Sequence, residues 1–91
     1  MKITFRLLPP FTRWAGTDKL ELQFEPGETL GQIADKWMDA NPDKKEVFTK
    51  FNAYIDGHLY AMYMRDHIFY KEDYTPEDDM LFTMMSTMIG G

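Results

Sequence analysis

Cysteine is absent from the 91 residues. That excludes a disulfide framework, a thiolate nucleophile and a thiolate metal site together. Histidine is nearly absent too. His58 and His67 stand nine positions apart, and neither has the i, i+4 histidine partner and acidic neighbour of a helical zinc motif. Positive charge is short: ten lysines and arginines against fifteen aspartates and glutamates give a net charge of −5 and an isoelectric point near 4.8. A phosphate-binding surface needs the opposite balance, so nucleic acid is not the expected partner. The acidic balance suits a partner with a basic surface, or serves solubility alone. Long apolar runs are missing, and no stretch reaches the ~20 residues of a membrane span. The opening Met1-Lys2-Ile3-Thr4-Phe5 lacks the form of a secretory leader. A soluble, cytoplasmic protein is the expectation. A glycine-rich phosphate-binding loop is absent too, since Gly27 and Gly31 lack its spacing and its lysine.

What is present is enough for one core. The chain is 44% hydrophobic and 15% aromatic, and its length fits a single domain. Ile3, Phe5 and Leu7 alternate with Lys2, Thr4 and Arg6, the period of a half-buried strand. Pro9-Pro10 ends that strand, and a loop through Phe11, Trp14 and Gly16 is expected next. Leu20, Leu22 and Phe24 alternate with charged and polar neighbours as a second strand. After a Pro26-Gly27 turn, Thr29 with Gln32 forms a capping-box pattern, and Leu30, Ile33, Ala34, Trp37 and Met38 make one helical stripe. Asn41-Pro42 stops that helix.

The second half reads less clearly. Residues 43–51 have room for a short helical turn. Ala53-Tyr54-Ile55 is a strand, and Asp56-Gly57 is a two-residue hairpin signal. His58 to Met64 continues as β-prone chain, followed by a further short run, His67-Ile68-Phe69-Tyr70. Lys71 to Asp79 is polar and carries Pro76, so it reads as a surface loop. Its Glu77-Asp78-Asp79 cluster reads as a solvated turn and not as an acid–base pair. Met80 to Met85 is the last strand, and residues 86–91 form an extended tail with a reach of about 20 Å. The expected plan is one domain over residues 1–85 and a tail over 86–91. Met62, Met64, Met80, Met84, Met85 and Met88 crowd the C-terminal half, either as adaptable core filling or as an apolar open face of a sheet covered by one helix.

The chain closes on Gly90-Gly91, a pair that composition alone would produce about once in 200 chains. Without side chains, such an end can pass through a narrow active site. The carboxyl group of Gly91 is therefore the candidate functional group, with Gly90 keeping the path narrow.

A strand pair, one amphipathic helix, further strands and a last strand with a Gly-Gly end is the plan of the α+β, ubiquitin-like β-grasp fold. It has a mixed four- to five-stranded sheet with one main helix on one face. Within that fold the chain resembles the sulfur-carrier family that includes the molybdopterin synthase small subunit (MoaD) and the thiamine sulfur carrier (ThiS). The resemblance is carried by Ile3 to Leu8 with Phe11, Trp14, Ala15 and Gly16, by Glu28 to Ile33, by Tyr54-Ile55-Asp56-Gly57, and by Gly90-Gly91. Glu77-Asp78-Asp79 stands where the family has an acidic-glycine turn, and Met84-Met85-Ser86-Thr87-Met88 where it often has prolines.

The resemblance implies a carrier and not an enzyme, the non-catalytic small subunit of a synthase complex. A ubiquitin-activating-like adenylyltransferase would use ATP to adenylate Gly91, and a sulfur donor would convert the adenylate to a thiocarboxylate. The molybdopterin synthase large subunit, or an equivalent acceptor enzyme, would take the sulfur to build the molybdenum or tungsten cofactor. No cofactor or metal would be bound by the carrier itself. The alternatives are a ubiquitin-like protein modifier, a β-grasp interaction module, or a carrier for another pathway such as thiamine. The lack of any nucleophile–base arrangement agrees with a non-catalytic role.

Overall fold

In the computed structural model, which describes residues 1–87, the alternation at the start becomes strand β1 (Lys2–Leu7), with Ile3, Phe5 and Leu7 buried. It pairs antiparallel with β2 (Lys19–Gln23), setting Phe5 opposite Leu20 and Ile3 opposite Leu22. On its other side it pairs in parallel with β7 (Met80–Ser86), where Phe5 faces Phe82. A parallel pair cannot be closed by a tight hairpin, so the intervening chain must cross over the sheet. β5 (Ala61–Arg65) runs antiparallel to β7, and β6 (Ile68–Tyr70) closes the edge beside β5. The strand order is β2-β1-β7-β5-β6. A mixed five-stranded sheet covered on one face is the ubiquitin-like β-grasp that the sequence leads one to expect.

The cover is more elaborate than one helix. The main helix, α2 (Leu30–Ala40), starts at the expected capping box: the Gln32 amide donates to Thr29 Oγ1 (3.1 Å) and the Thr29 amide donates to Gln32 Oε1 (3.0 Å). Leu30, Ile33, Ala34 and Met38 are buried against the sheet. Trp37, expected in the same stripe, is only half-buried and lies at its margin, edge-on to Phe48 at 6.2 Å between ring centroids. Pro42 ends this helix and begins the next, because its missing N–H costs nothing in a first turn. That next helix, α3 (Pro42–Lys50), is nine residues long, where the sequence offered room only for a turn.

The expected loop after Pro9-Pro10 is also helical. α1 (Phe11–Ala15) buries Phe11, Trp14 and Ala15 and ends at Gly16, whose φ of 75° suits glycine. Phe48 of α3 sits 5.2 Å from Phe11 and 5.4 Å from Trp14, and Phe51 stacks on Trp14 at 4.8 Å. These aromatics join α1 to α3 and supply the mutual burial that neither short helix could reach alone.

Asp56-Gly57 makes the expected hairpin between β3 (Tyr54–Ile55) and β4 (His58–Leu59), but those strands form a separate two-stranded sheet. The stretch from His58 to Met64 is thus two strands in different sheets. The break falls at Tyr60, whose amide donates to the Ala53 carbonyl at 2.9 Å. A second two-residue turn, Asp66-His67, holds both residues at positive φ and joins β5 to β6. The polar run 71–79 is a loop as expected, yet Pro76 within it is fully buried and Tyr74 is packed edge-on to Tyr70. Among the described residues no helix is long and apolar enough to cross a membrane.

Candidate functional site

The alternation that sends Ile3, Phe5 and Leu7 into the core sends Lys2, Thr4 and Arg6 to the opposite, uncovered face of the sheet. The strand registers extend that face across the molecule. On β2 it carries Lys19, Glu21 and Gln23, paired with Arg6, Thr4 and Lys2. On β7 it carries Leu81, Thr83 and Met85. On β5 it carries Met62 beside Met85 and Met64 beside Thr83, and on β6 it carries Phe69 beside Met64.

The face therefore has two halves of different chemistry. The β2–β1 half is charged and internally paired, with Lys2 Nζ 2.9 Å and Lys19 Nζ 3.7 Å from the two Glu21 oxygens. The hydrogen bond from Lys2 holds the Glu21 carboxyl below its ordinary range. The β7–β5–β6 half is apolar, and its large side chains are open to solvent: Phe69 at 57%, Leu81 at 46% and Met62 at 37% exposure. A recess of about 580 Å³ at its edge is lined by Ala61, Met62, Phe69, Tyr70, Lys71, Glu72 and Asp73. A contiguous apolar area of this kind on a small acidic domain has the character of a protein-binding surface.

The methionine excess is split between the two roles open to it. Met62, Met64 and Met85 lie on the uncovered face, whereas Met84 is buried in the core and Met80 is packed against it. Tyr63 of β5 turns the other way, into the core. Tyr63 is buried, its hydroxyl has no hydrogen-bond partner among the described residues, and burial pushes that hydroxyl well above the ordinary phenol value.

The chain leaves the sheet at the apolar half. Ser86, the last residue of β7, pairs with Ala61, immediately beside the Met62–Met85 pair. Gly90 and Gly91, the expected functional residues, lie outside the described residues, as does Met88. The other candidates are placed plainly. Asp79 Oδ1 accepts the Lys2 amide at 2.8 Å and Asp78 Oδ1 accepts the Asp79 amide at 2.8 Å, so two acids of the 77–79 cluster serve local backbone groups. His67 sits in the exposed β5–β6 turn. His58 is held between two carboxylates far from it along the chain, Asp35 and Glu72. Among the described residues no three histidine, aspartate or glutamate side chains are placed to hold a metal ion.

Solved structures share this architecture over essentially the whole chain. A structure of SAMP1 from Haloferax volcanii matches with a TM-score of 0.74 at 16% identity, covering all of both chains. Another, of small archaeal modifier protein 1 from H. volcanii, matches with a TM-score of 0.72 at 14% identity over 96% of this chain and 98% of that one. A protein from Pyrococcus furiosus, described by assignment as molybdopterin converting factor, subunit 1, matches with a TM-score of 0.59 at 14% identity over 97% and 99% of the two chains. At these identities the likeness establishes the fold. No protein-family model matches the chain, and no curated protein sequence matches it significantly.

Proposed function

We propose that this protein is a sulfur carrier of the ubiquitin-like kind, acting in molybdopterin biosynthesis through the carboxyl group of Gly91. The observation that carries the proposal is the placement of the chain's exit. β7 delivers the chain from the Met62–Met85 end of the uncovered apolar face, so a partner seated on that face would lie next to the segment leading to Gly90-Gly91. The full-length likeness in fold to a molybdopterin converting factor subunit and to small archaeal modifier proteins supports the same reading.

The chemistry follows from the weakness of a carboxylate as an electrophile. An adenylyltransferase partner joins the Gly91 carboxylate to the α-phosphate of ATP and releases pyrophosphate, which turns a poor leaving group into AMP. A sulfur donor then delivers hydrosulfide to the acyl carbon, AMP departs with the electrons of the broken C–O bond, and the S–H proton passes to a partner's base. The product is a thiocarboxylate with sulfur in place of one oxygen. The nucleophiles and bases belong to the partners, and this chain supplies the acyl group and the docking surface. Its role is that of a regenerated co-substrate, with the large subunit of a synthase as the sulfur acceptor.

A second reading is a protein modifier, in which a lysine amine of a target takes the acyl group instead of sulfur. The two modifier-protein structures, with the higher TM-scores, favour it. Intact mass spectrometry after incubation with a cognate activating enzyme, ATP and a sulfur donor separates the readings. A gain of about 16 Da, sulfur for oxygen, supports the carrier. A ladder of heavier conjugates supports the modifier, and an unchanged mass rejects both.

A further inference from the structure

His58, on β4, has both ring nitrogens against carboxylates. Nδ1 lies 2.9 Å from Asp35 Oδ2 on helix α2, and Nε2 lies 2.7 Å from Glu72 Oε2 in the loop after β6. A neutral imidazole has one N–H and one lone pair, so in either tautomer it would turn a lone pair toward an ionised carboxylate. Only the imidazolium donates to both, and the two distances are those of charge-assisted hydrogen bonds. The arrangement thus requires a proton on the one side chain whose ordinary titration lies near neutrality.

The two halves of the cluster differ in how firmly they are held. Asp35 is fixed a second time, because its Oδ1 accepts the Leu59 amide at 2.8 Å. Among the described residues the Glu72 side chain is held by His58 alone, and it is 52% exposed against about a quarter for the other two. The backbone of the Glu72 loop in turn closes the start of α2. The Leu30 amide donates to the Tyr74 carbonyl at 3.0 Å, and the Gly31 amide donates to the Glu72 carbonyl at 2.9 Å. These are two of the four amides that a helix N-terminus leaves without internal partners. Glu72 also forms part of the wall of the recess that holds Met62 and Phe69.

The charged groups facing the imidazole are all acidic. The cleft around it is lined by Thr29, Gly31, Gln32, Asp35, Glu72 and Asp73. From β5 the buried Tyr63 hydroxyl is within the electrostatic influence of both Asp35 and Glu72. From the chain after β4, the Tyr60 ring stands edge-on to the imidazole at 4.8 Å. Among the described residues no cation other than His58 lines the cleft.

We propose that Asp35, His58 and Glu72 form a proton-operated clasp. Protonated His58 ties loop 71–79 to helix α2 and to the β3–β4 hairpin. Loss of the proton frees the Glu72 side and loosens the loop wall of the Met62–Phe69 recess. The Asp35 hydrogen bond, with a further contribution from Glu72, raises His58 above the ordinary imidazole value against the opposing effect of partial burial. The clasp is therefore closed below that raised value and opens as pH rises through it.

The test is an NMR titration of the full chain from about pH 5.5 to 9, following the His58 ring and the exchange protection of the Leu30 and Gly31 amides, corrected for intrinsic exchange. Protection at both amides should fall about threefold or more as His58 loses its proton. In Glu72→Gln, whose exposed side chain can change without unfolding the domain, that step should shrink to less than half. An imidazole titrating at or below about 6.5 contradicts the clasp. So does protection that stays constant across the His58 titration, or a step of full size in Glu72→Gln.

Discussion

Met62 on β5 and Met85 on β7 lie side by side on the uncovered face of the sheet, one residue from the point where Ala61 pairs with Ser86. Two flexible, polarisable side chains thus mark the place where the chain leaves the fold. Methionine suits a surface that must conform to a partner without a fixed shape of its own. Phe69, paired with Met64, extends the apolar area toward the β6 edge.

If this half of the sheet receives the activating partner, a charge within it should block loading and spare the fold. Met62→Asp is expected to lower the rate of Gly91 adenylation at least about tenfold, as removal of a central interface contact does. Its melt should stay close to wild type, as exposed substitutions usually do within about 0.5 kcal/mol. Pyrophosphate release with the cognate adenylyltransferase measures the first effect and thermal unfolding the second. Normal activation of Met62→Asp would remove this face from the interface.

The core should respond at the Phe5–Phe82 pair, where β1 meets β7 and both rings are fully buried. Phe82→Ala should cost about 3–5 kcal/mol in chemical denaturation. Trp37 carries less than its place in the helical stripe indicates. Half-buried at the margin, it should cost about 1–2 kcal/mol when replaced by alanine. Equal losses at the two sites would contradict the placement of Trp37.

The capping box offers a smaller, local test. Thr29→Ala removes the acceptor for the Gln32 amide and should cost about 1 kcal/mol. Thr29→Ser should recover most of that loss. A Thr29→Ala variant as stable as wild type would mean that the Tyr74 and Glu72 carbonyls alone secure the helix start.

The pH dependence has a definite sign. His58 is raised in the folded state, chiefly by its hydrogen bond to Asp35. Its contribution to stability is therefore fully present below the unfolded imidazole value of about 6.5 and is lost as pH rises through the folded value. The stability gap between wild type and His58→Gln should be larger near pH 6 than near pH 9, measured by denaturant midpoint. A gap that grows toward pH 9 would reverse the assignment.

The legible parts of the fold are those with long, clean periods. β1 and β2 alternate over five or six residues, and α2 combines a capping box with a stripe of apolar positions. α1 was hidden because five residues between Pro10 and Gly16 cannot show a helical period. α3 was faint because Phe48 is its only buried residue, so it has almost no stripe. The break at Tyr60 left no mark, since β-forming residues continue on both sides of it. The Asp66-His67 turn has no glycine to signal it. At the candidate site, the methionine excess was visible, but which methionines face outward depends on pairing registers that local sequence does not contain. The His58 clasp was out of reach altogether: its partners lie 23 and 14 positions away and meet only through the crossover.

In the proposed function the terminal carboxyl group of Gly91 is the group acted upon. Fragmentation mass spectrometry of protein incubated with its activating enzyme, ATP and a sulfur donor tests it most directly. A gain of about 16 Da confined to fragments that contain Gly91 is expected, and no gain when Gly91 is deleted or the C-terminus extended. The same gain on an internal fragment, or sulfur loading that persists in the extended protein, would contradict it.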